Sequence, residues 1–247
     1  MGAIAVPLLF PGLPLAAAAG FLIGSPAWAQ SAIVPDNTLG AESSQVIQNA
    51  DGFPVEEIQG GAIRGQNLFH SFEEFNVVVG RGAYFIAPSD AINNIFSRVT
   101  GTSPSNISGV LGTAFVNGGA TEANLFFINP NGILFSETGS LNVGGSFTAT
   151  TANAVRFGDR GSYNTTAPEA PSPLLTVDPS AYLFTSASPG SISSQSTVLD
   201  PFVSVFRGLW VPIREALALL GGRVTINGNN VDAGLRALGG RINIGAI

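Results

Sequence analysis

The 247-residue chain has no cysteine and no lysine: all ten basic residues are arginine, and the one histidine is His70. Without Cys and with a single His there is no zinc cluster, no thiol nucleophile and no disulfide framework. Without Lys there is no phosphate-loop lysine and no Schiff-base chemistry. The formal net charge of −6 argues against nucleic-acid binding, because that affinity comes from cations that neutralise phosphates. Catalytic signatures are equally scarce. No Ser lies in G-x-S-x-G, and no D-x-[DN]-x-[DN]-G calcium loop occurs. No catalytic residue, cofactor or metal ligand is expected.

Charge is also missing from the amino terminus, where the first charged side chain is Asp36 and the first basic one Arg64. Leu15 to Gly24 forms an apolar run followed by Ser25-Pro26-Ala27-Trp28-Ala29. Small side chains at Ala27 and Ala29 make an A-x-A signal-peptidase site. Residues 1–29 are therefore expected to be a cleaved signal peptide, leaving 30–247 as one mature domain. A transmembrane anchor is the alternative on length. Against it, Pro7, Pro11 and Pro14 interrupt a helix and no basic residue follows to stop transfer.

What the mature chain does contain is 27 of the 31 glycines and 12 of the 16 prolines, set among short apolar stretches. Asn76–Val79, Ala83–Ile86, Asn124–Ile128, Ile133–Phe135 and Arg223–Ile226 are rich in Val, Ile and Phe and too short for stable helices, which predicts strands. Leu220-Gly221-Gly222-Arg223-Val224 returns as Leu238-Gly239-Gly240-Arg241-Ile242, an offset of 18 residues, with an echo at Leu141–Phe147. One strand and one Gly corner per copy predicts a solenoid whose coils bury their apolar faces on one another. Eighteen Asn residues suit its corners and amide ladders between coils. A β-sandwich is the alternative. Pro212–Leu220 has helix-favouring residues, but a solenoid setting favours strand. Thr165–Pro173, with Pro168, Pro171 and Pro173, predicts an exposed or extruded segment.

The acidic pairs Glu56-Glu57 and Glu73-Glu74 raise the possibility of a glycosidase, yet neighbours in a strand point to opposite faces. Solvated strand edges explain them better. His70, amid aromatics, reads as structural rather than as a general base. Asn129-Pro130-Asn131-Gly132-Ile133 is the most informative segment: Asn can close an Asx-turn, Pro presets φ and Gly accepts positive φ, so it encodes a rigid reversal between two apolar strands.

These residues carry a resemblance. Asn67–Phe72 with Phe75-Asn76-Val77, then Asn94–Gly101, Asn124–Ile133 and Val143–Phe147, follow the order seen in filamentous haemagglutinin amino-terminal domains, and the chain resembles that family from about Ile33 to Ile247. These are the secretion domains of two-partner secretion exoproteins. The resemblance implies an all-β fold, a right-handed single-stranded parallel β-helix with a few extra-helical hairpins and capping strands. It also implies Sec-dependent export and recognition by an outer-membrane transporter through periplasmic POTRA domains. The product would be secreted or held at the cell surface of a Gram-negative type envelope. The resemblance makes Asn129, Pro130, Asn131, Gly132 and Ile133 the secretion motif, and Asn67, His70, Arg98 and Gly101 family-motif positions of open role. Ser136, Ser180–Phe184 and Phe202–Glu215 depart from the family pattern, which predicts irregular later coils. The passenger is expected to be largely absent.

Three functions remain in view from the sequence. The first is a non-enzymatic secretion domain. The second is a surface adhesin binding glycan or a cell-surface protein, and the third a β-helix carbohydrate-active enzyme.

Overall fold

The computed structural model describes residues 30–199, 207–227 and 233–247. The expected signal peptide, with Ala27 and Ala29, lies outside the described residues. The chain begins with capping strands β1 (Ile33–Pro35), β2 (Ser44–Ile47), β3 (Val55–Gly60) and β4 (Ala62–Arg64). It then winds repeatedly through three faces. The first face stacks β5 (Asn67–Phe75), β7 (Asn94–Val99), β10 (Asn124–Ile128), β13 (Phe147–Thr150), β19 (Leu217–Gly221) and β22 (Ile242–Ala246) in parallel. The second stacks β8 (Ser105–Ile107), β11 (Ile133–Phe135), β17 (Ser191–Ser194) and β20 (Arg223–Ile226). The third runs from β3 through β6 (Gly82–Ala87) and β9 (Val110–Phe115) to β12 (Ser140–Asn142), with the pair β18 (Arg207–Val211) and β21 (Ala233–Ala237) beside it. This is a parallel β-solenoid of about six turns, so the sandwich alternative falls. β1 and β4 pair antiparallel with β5, and β2 with β3, which closes the first coil's open edges.

The period-two alternation of strands sorts side chains to two cores. Leu68, Ile95, Leu125, Phe147 and Leu217 lie in register on successive coils and point inward. Their neighbours Phe69, Phe96 and Phe126 point outward as a stacked column, with ring centroids 5.1 and 4.6 Å apart. That outer column is covered by an excursion from the solenoid: the antiparallel strands β14 (Ala154–Arg156), β15 (Ser162–Asn164) and β16 (Ala181–Leu183). Phe157, Tyr163 and Leu175 join Phe69, Phe96, Phe126 and Leu39 in a second buried cluster. Burial on both sides explains why these strands read as continuous apolar runs. The Pro-rich segment belongs to this excursion, as expected of extruded chain.

The expected amide ladder is present. Asn94 Nδ2 donates to Asn67 Oδ1 at 2.9 Å, and Asn124 Nδ2 to Asn94 Oδ1 at 2.9 Å. The Ser146 amide closes the row on Asn124 Oδ1 at 2.8 Å. At its other end Asn67 Nδ2 reaches the carbonyls of Leu175 and Val177, both at 2.8 Å, which ties the ladder to the outer layer.

Several expectations are corrected. Strands of the first face begin at residues 67, 94, 124, 147, 217 and 242, so turns take 27, 30, 23, 70 and 25 residues, not 18. The two copies of the 18-residue repeat occupy different corners: one leads from β19 to β20, the other from β21 to β22. They are alike because both corners bring the chain against the preceding coil. A Cβ on Gly240 would collide with the Glu215 carbonyl oxygen, and one on Gly144, in the echo, with that of Thr121. Asn76–Val79 makes only an isolated bridge from Val77 to Ile107, followed by a turn, because the chain bends there to the third face. Glu56 is not solvated: it is fully buried, its Oε1 accepting from Arg81 Nε at 2.6 Å, while Glu57 is half-buried and bonds Gln59. Of the stretch expected to be irregular, residues 202–206 lie outside the described residues, and Arg207–Val211 resumes a regular parallel strand. In Pro212–Leu220, Ile213-Arg214 forms a turn and Leu217 onward is strand, as the solenoid setting requires.

The close approach at Gly144 generates a stability prediction. Gly144→Ala is expected to cost at least about 2 kcal/mol in urea unfolding. Gly234→Ala, where an added Cβ meets nothing within 4 Å, is expected to change stability by less than about 1 kcal/mol. Equal effects at the two positions would contradict the coil-contact account.

Candidate functional site

The segment Asn129–Ile133 is the corner between β10 and β11. The Asn131 amide donates to Asn129 Oδ1 at 3.0 Å, which is the expected Asx-turn, and the Gly132 amide reaches the Asn129 carbonyl at 3.2 Å. Gly132 has φ +128°, a region that favours glycine. Asn129 is fully buried; its Nδ2 donates to the Ser103 carbonyl at 3.1 Å and to Ser105 Oγ at 2.9 Å, both on the preceding coil. Asn131 is exposed, yet its Nδ2 reaches the Gly101 carbonyl at 2.8 Å. Pro130 is half-buried and its carbonyl accepts from the Gly190 amide at 3.1 Å. Ile133 is buried and aligned with Ser105 and Ile192 on either side. The reversal expected from the sequence is thus a corner bonded to the coils above and below it, with little of the motif left at the surface.

The four other family-motif positions separate. Gly101 joins this corner through Asn131, and a Cβ there would run into the Glu73 carbonyl oxygen. Asn67 starts the amide ladder.

Arg98 sits on the outer side of β7, fully buried, at the meeting point of four segments. Its Nε donates to Ser71 Oγ at 2.9 Å, Nη1 to the Asn164 carbonyl at 2.7 Å, and Nη2 to Thr38 Oγ1 at 2.7 Å and the Glu169 carbonyl at 2.9 Å. Its guanidinium carbon lies 4.1 Å from the Tyr163 ring centroid, a cation–π contact. The counter-charge is one step removed. Asp36 accepts from Thr38 Oγ1 at 2.6 Å, Ser71 Oγ at 2.7 Å and Thr100 Oγ1 at 2.6 Å. Burial alone would raise the Asp36 carboxyl, but the bonds from Thr100, Thr38 and Ser71 outweigh it and hold the group below its usual range. Sequence reading missed Asp36, Thr38, Ser71 and Tyr163 as partners. The one local signal was Asp36-x-Thr38, whose backbone amide does close on Asp36 Oδ1 at 2.9 Å.

His70 points the other way, into the solenoid core beside Phe72 and Phe85. Its Nδ1 lies 3.1 Å from Ser44 Oγ, and its Nε2 is buried without a partner. Burial drives the imidazole down to about 3, so it is neutral at ordinary pH. Its ring is packed among aromatics, as its surroundings in the sequence suggest.

A family model described as TPS secretion domain matches residues 31–247, the whole of the solenoid. No curated protein matches the chain.

Because the folded state holds His70 neutral while the unfolded chain titrates it near 6.5, stability is fully present above pH 6.5 and falls as pH drops below it. The expected slope is about 1.4 kcal/mol per pH unit. With no second histidine in the chain, the window between pH 6.5 and 5 isolates this group. Urea unfolding across that window is expected to weaken for wild type and to stay level for His70→Phe. Parallel curves would contradict it.

Proposed function

The chain belongs to the TPS secretion domain family, and from that premise we propose that it directs export through an outer-membrane transporter bearing periplasmic POTRA domains. The family is a secretion domain rather than an enzyme family, and its members are secreted exoproteins of Gram-negative bacteria. The carbohydrate-active enzyme reading loses its support accordingly. The observation that carries the proposal is that the family match includes the Asn129–Ile133 corner, whose polar groups the folded coil occupies.

Asn129 and Ile133 are buried in the solenoid, and only an extended chain offers all five residues to a partner at once. An extended segment adds naturally to the edge of a POTRA sheet: main-chain bonds give affinity and alternate side chains give specificity. In this reading the chain crosses the inner membrane by the Sec machinery and is recognised unfolded. It then closes coil by coil outside the cell. Corner residues drawn into coil-to-coil bonds are no longer available for rebinding, which opposes return without nucleotide hydrolysis. The absence of Cys suits such a route, since no disulfide can lock a loop before transit.

Co-expressed with the transporter that exports it, Asn129→Ala is expected to be released into the medium severalfold less than wild type. The urea-unfolded variant should also be retained less on immobilised POTRA domains. That second measurement separates recognition from the loss of the Ser103 and Ser105 contacts in the folded state. Undiminished release together with undiminished retention would remove the corner from the recognition signal.

A further inference from the structure

The third face of the solenoid carries a groove that neither the family nor the export route explains. Its cavity is about 740 Å³ and is bounded by Tyr84, the Gly118–Glu122 loop, Asn142, Trp210, Ile213 and Arg236, within the roughly 300–1,000 Å³ range of small-ligand sites.

Its floor is built in a specific way. Tyr84 on β6, Gly112 on β9 and Asn142 on β12 lie in register on successive coils. A Cβ on Gly112 would come within 2.6 Å of the Tyr84 ring, and one on Gly82 within 2.8 Å. The ring therefore lies flat over two glycines, and Asn142 Nδ2 donates to its hydroxyl at 3.0 Å. One face of the tyrosine rests on backbone, so the face that lines the cavity is the other.

Trp210 supplies a second aromatic surface. Leu209 and Val211 on either side of it are buried in the core, so Trp210 points outward, half-buried, into the same groove. The rim adds the exposed Glu122 and Asn142.

We propose that this groove binds a short neutral oligosaccharide laid along the solenoid axis, with one sugar ring on Tyr84 and another against Trp210. A pyranose has an apolar C–H face that stacks on an aromatic ring and a hydroxyl edge that needs donors and acceptors. A fixed aromatic face beside an amide and a carboxylate meets both needs. Successive coils advance by about 4.8 Å, close to the length of one hexose, so the steps from Tyr84 on β6 through β9 and β12 to Trp210 on β18 match successive sugars along a short chain. The inference concerns the folded domain and stands apart from the export reading. It gives the adhesin alternative a location and a ligand class.

Trp210 itself reports on the test, since the other of the chain's two tryptophans, Trp28, falls in the expected signal peptide and is absent from the mature domain 30–247. Into that mature domain, maltotriose, cellotriose and chitotriose are titrated to about 10 mM with tryptophan emission followed, without any transporter present. At least one is expected to give a saturable change with Kd near 10⁻⁴ to 10⁻³ M. Tyr84→Ala and the exposed-site variant Asn142→Ala are each expected to weaken it at least about tenfold, with thermal unfolding of Asn142→Ala unchanged. Release through the transporter should be unaffected by Asn142→Ala. No saturable response to any of the three sugars would overturn the proposal, as would a response that survives both substitutions.

Discussion

A buried guanidinium organises the amino-terminal half of this solenoid. Removing Arg98 from water costs several kcal/mol unless its donors are met, and they are met by groups that lie far apart in the chain. Ser71 is 27 residues away, Thr38 60, Asn164 66 and Glu169 71. The capping segment, two coils and the outer excursion must therefore all be in place before the charge is satisfied. Asp36, held by three hydroxyls, supplies the opposite charge through Ser71 and Thr38. Around this polar node the apolar column of Phe69, Phe96 and Phe126 needs the same cover, from Phe157, Tyr163 and Leu175. Polar and apolar demands thus converge on one outer layer.

That convergence bears on export. A solenoid of stacked coils can grow one turn at a time, because each turn contacts chiefly its neighbours. Here the Arg98 node and the Asn67 ladder both await strands and loops between residues 154 and 178, long after the coils they complete. Early coils lack their outer partners until that later segment has emerged. Under the export route proposed above, the chain would remain open during transit and become cooperative once residues through 178 are free to fold. The Asn129–Ile133 corner behaves alike: extended, it is a contiguous peptide; folded, it is bonded to Ser103, Ser105 and Gly101.

Much of this was legible in the sequence, and the limits have physical causes. Strand identity at Ala83–Ile86, Asn124–Ile128, Ile133–Phe135 and Arg223–Ile226 followed from β-branched and aromatic residues between turn formers. The Asx-turn at Asn129 and the Asn ladder followed from what an amide side chain does at a corner. The coil period did not, because the Gly-Gly pairs mark close approach between coils and not position within a coil, so two different corners looked like one repeat. The 70-residue turn from β13 to β19 was hidden because an excursion has no periodicity of its own. Glu56 looked like an ordinary surface carboxylate until Arg81, 25 residues on, was seen to bury it. Arg98 came only from resemblance: nothing local distinguishes a guanidinium buried by four distant segments from one in water.

The central claim is that Arg98 couples cap, coils and outer layer into one cooperative unit. Native-state hydrogen exchange on wild type and Arg98→Met tests it most directly. If the account holds, amides of β1, β7 and β15 lose protection together in the variant, by about 3–5 kcal/mol, because the three segments share one node. Loss confined to β7, with β1 and β15 protected as in wild type, would contradict it.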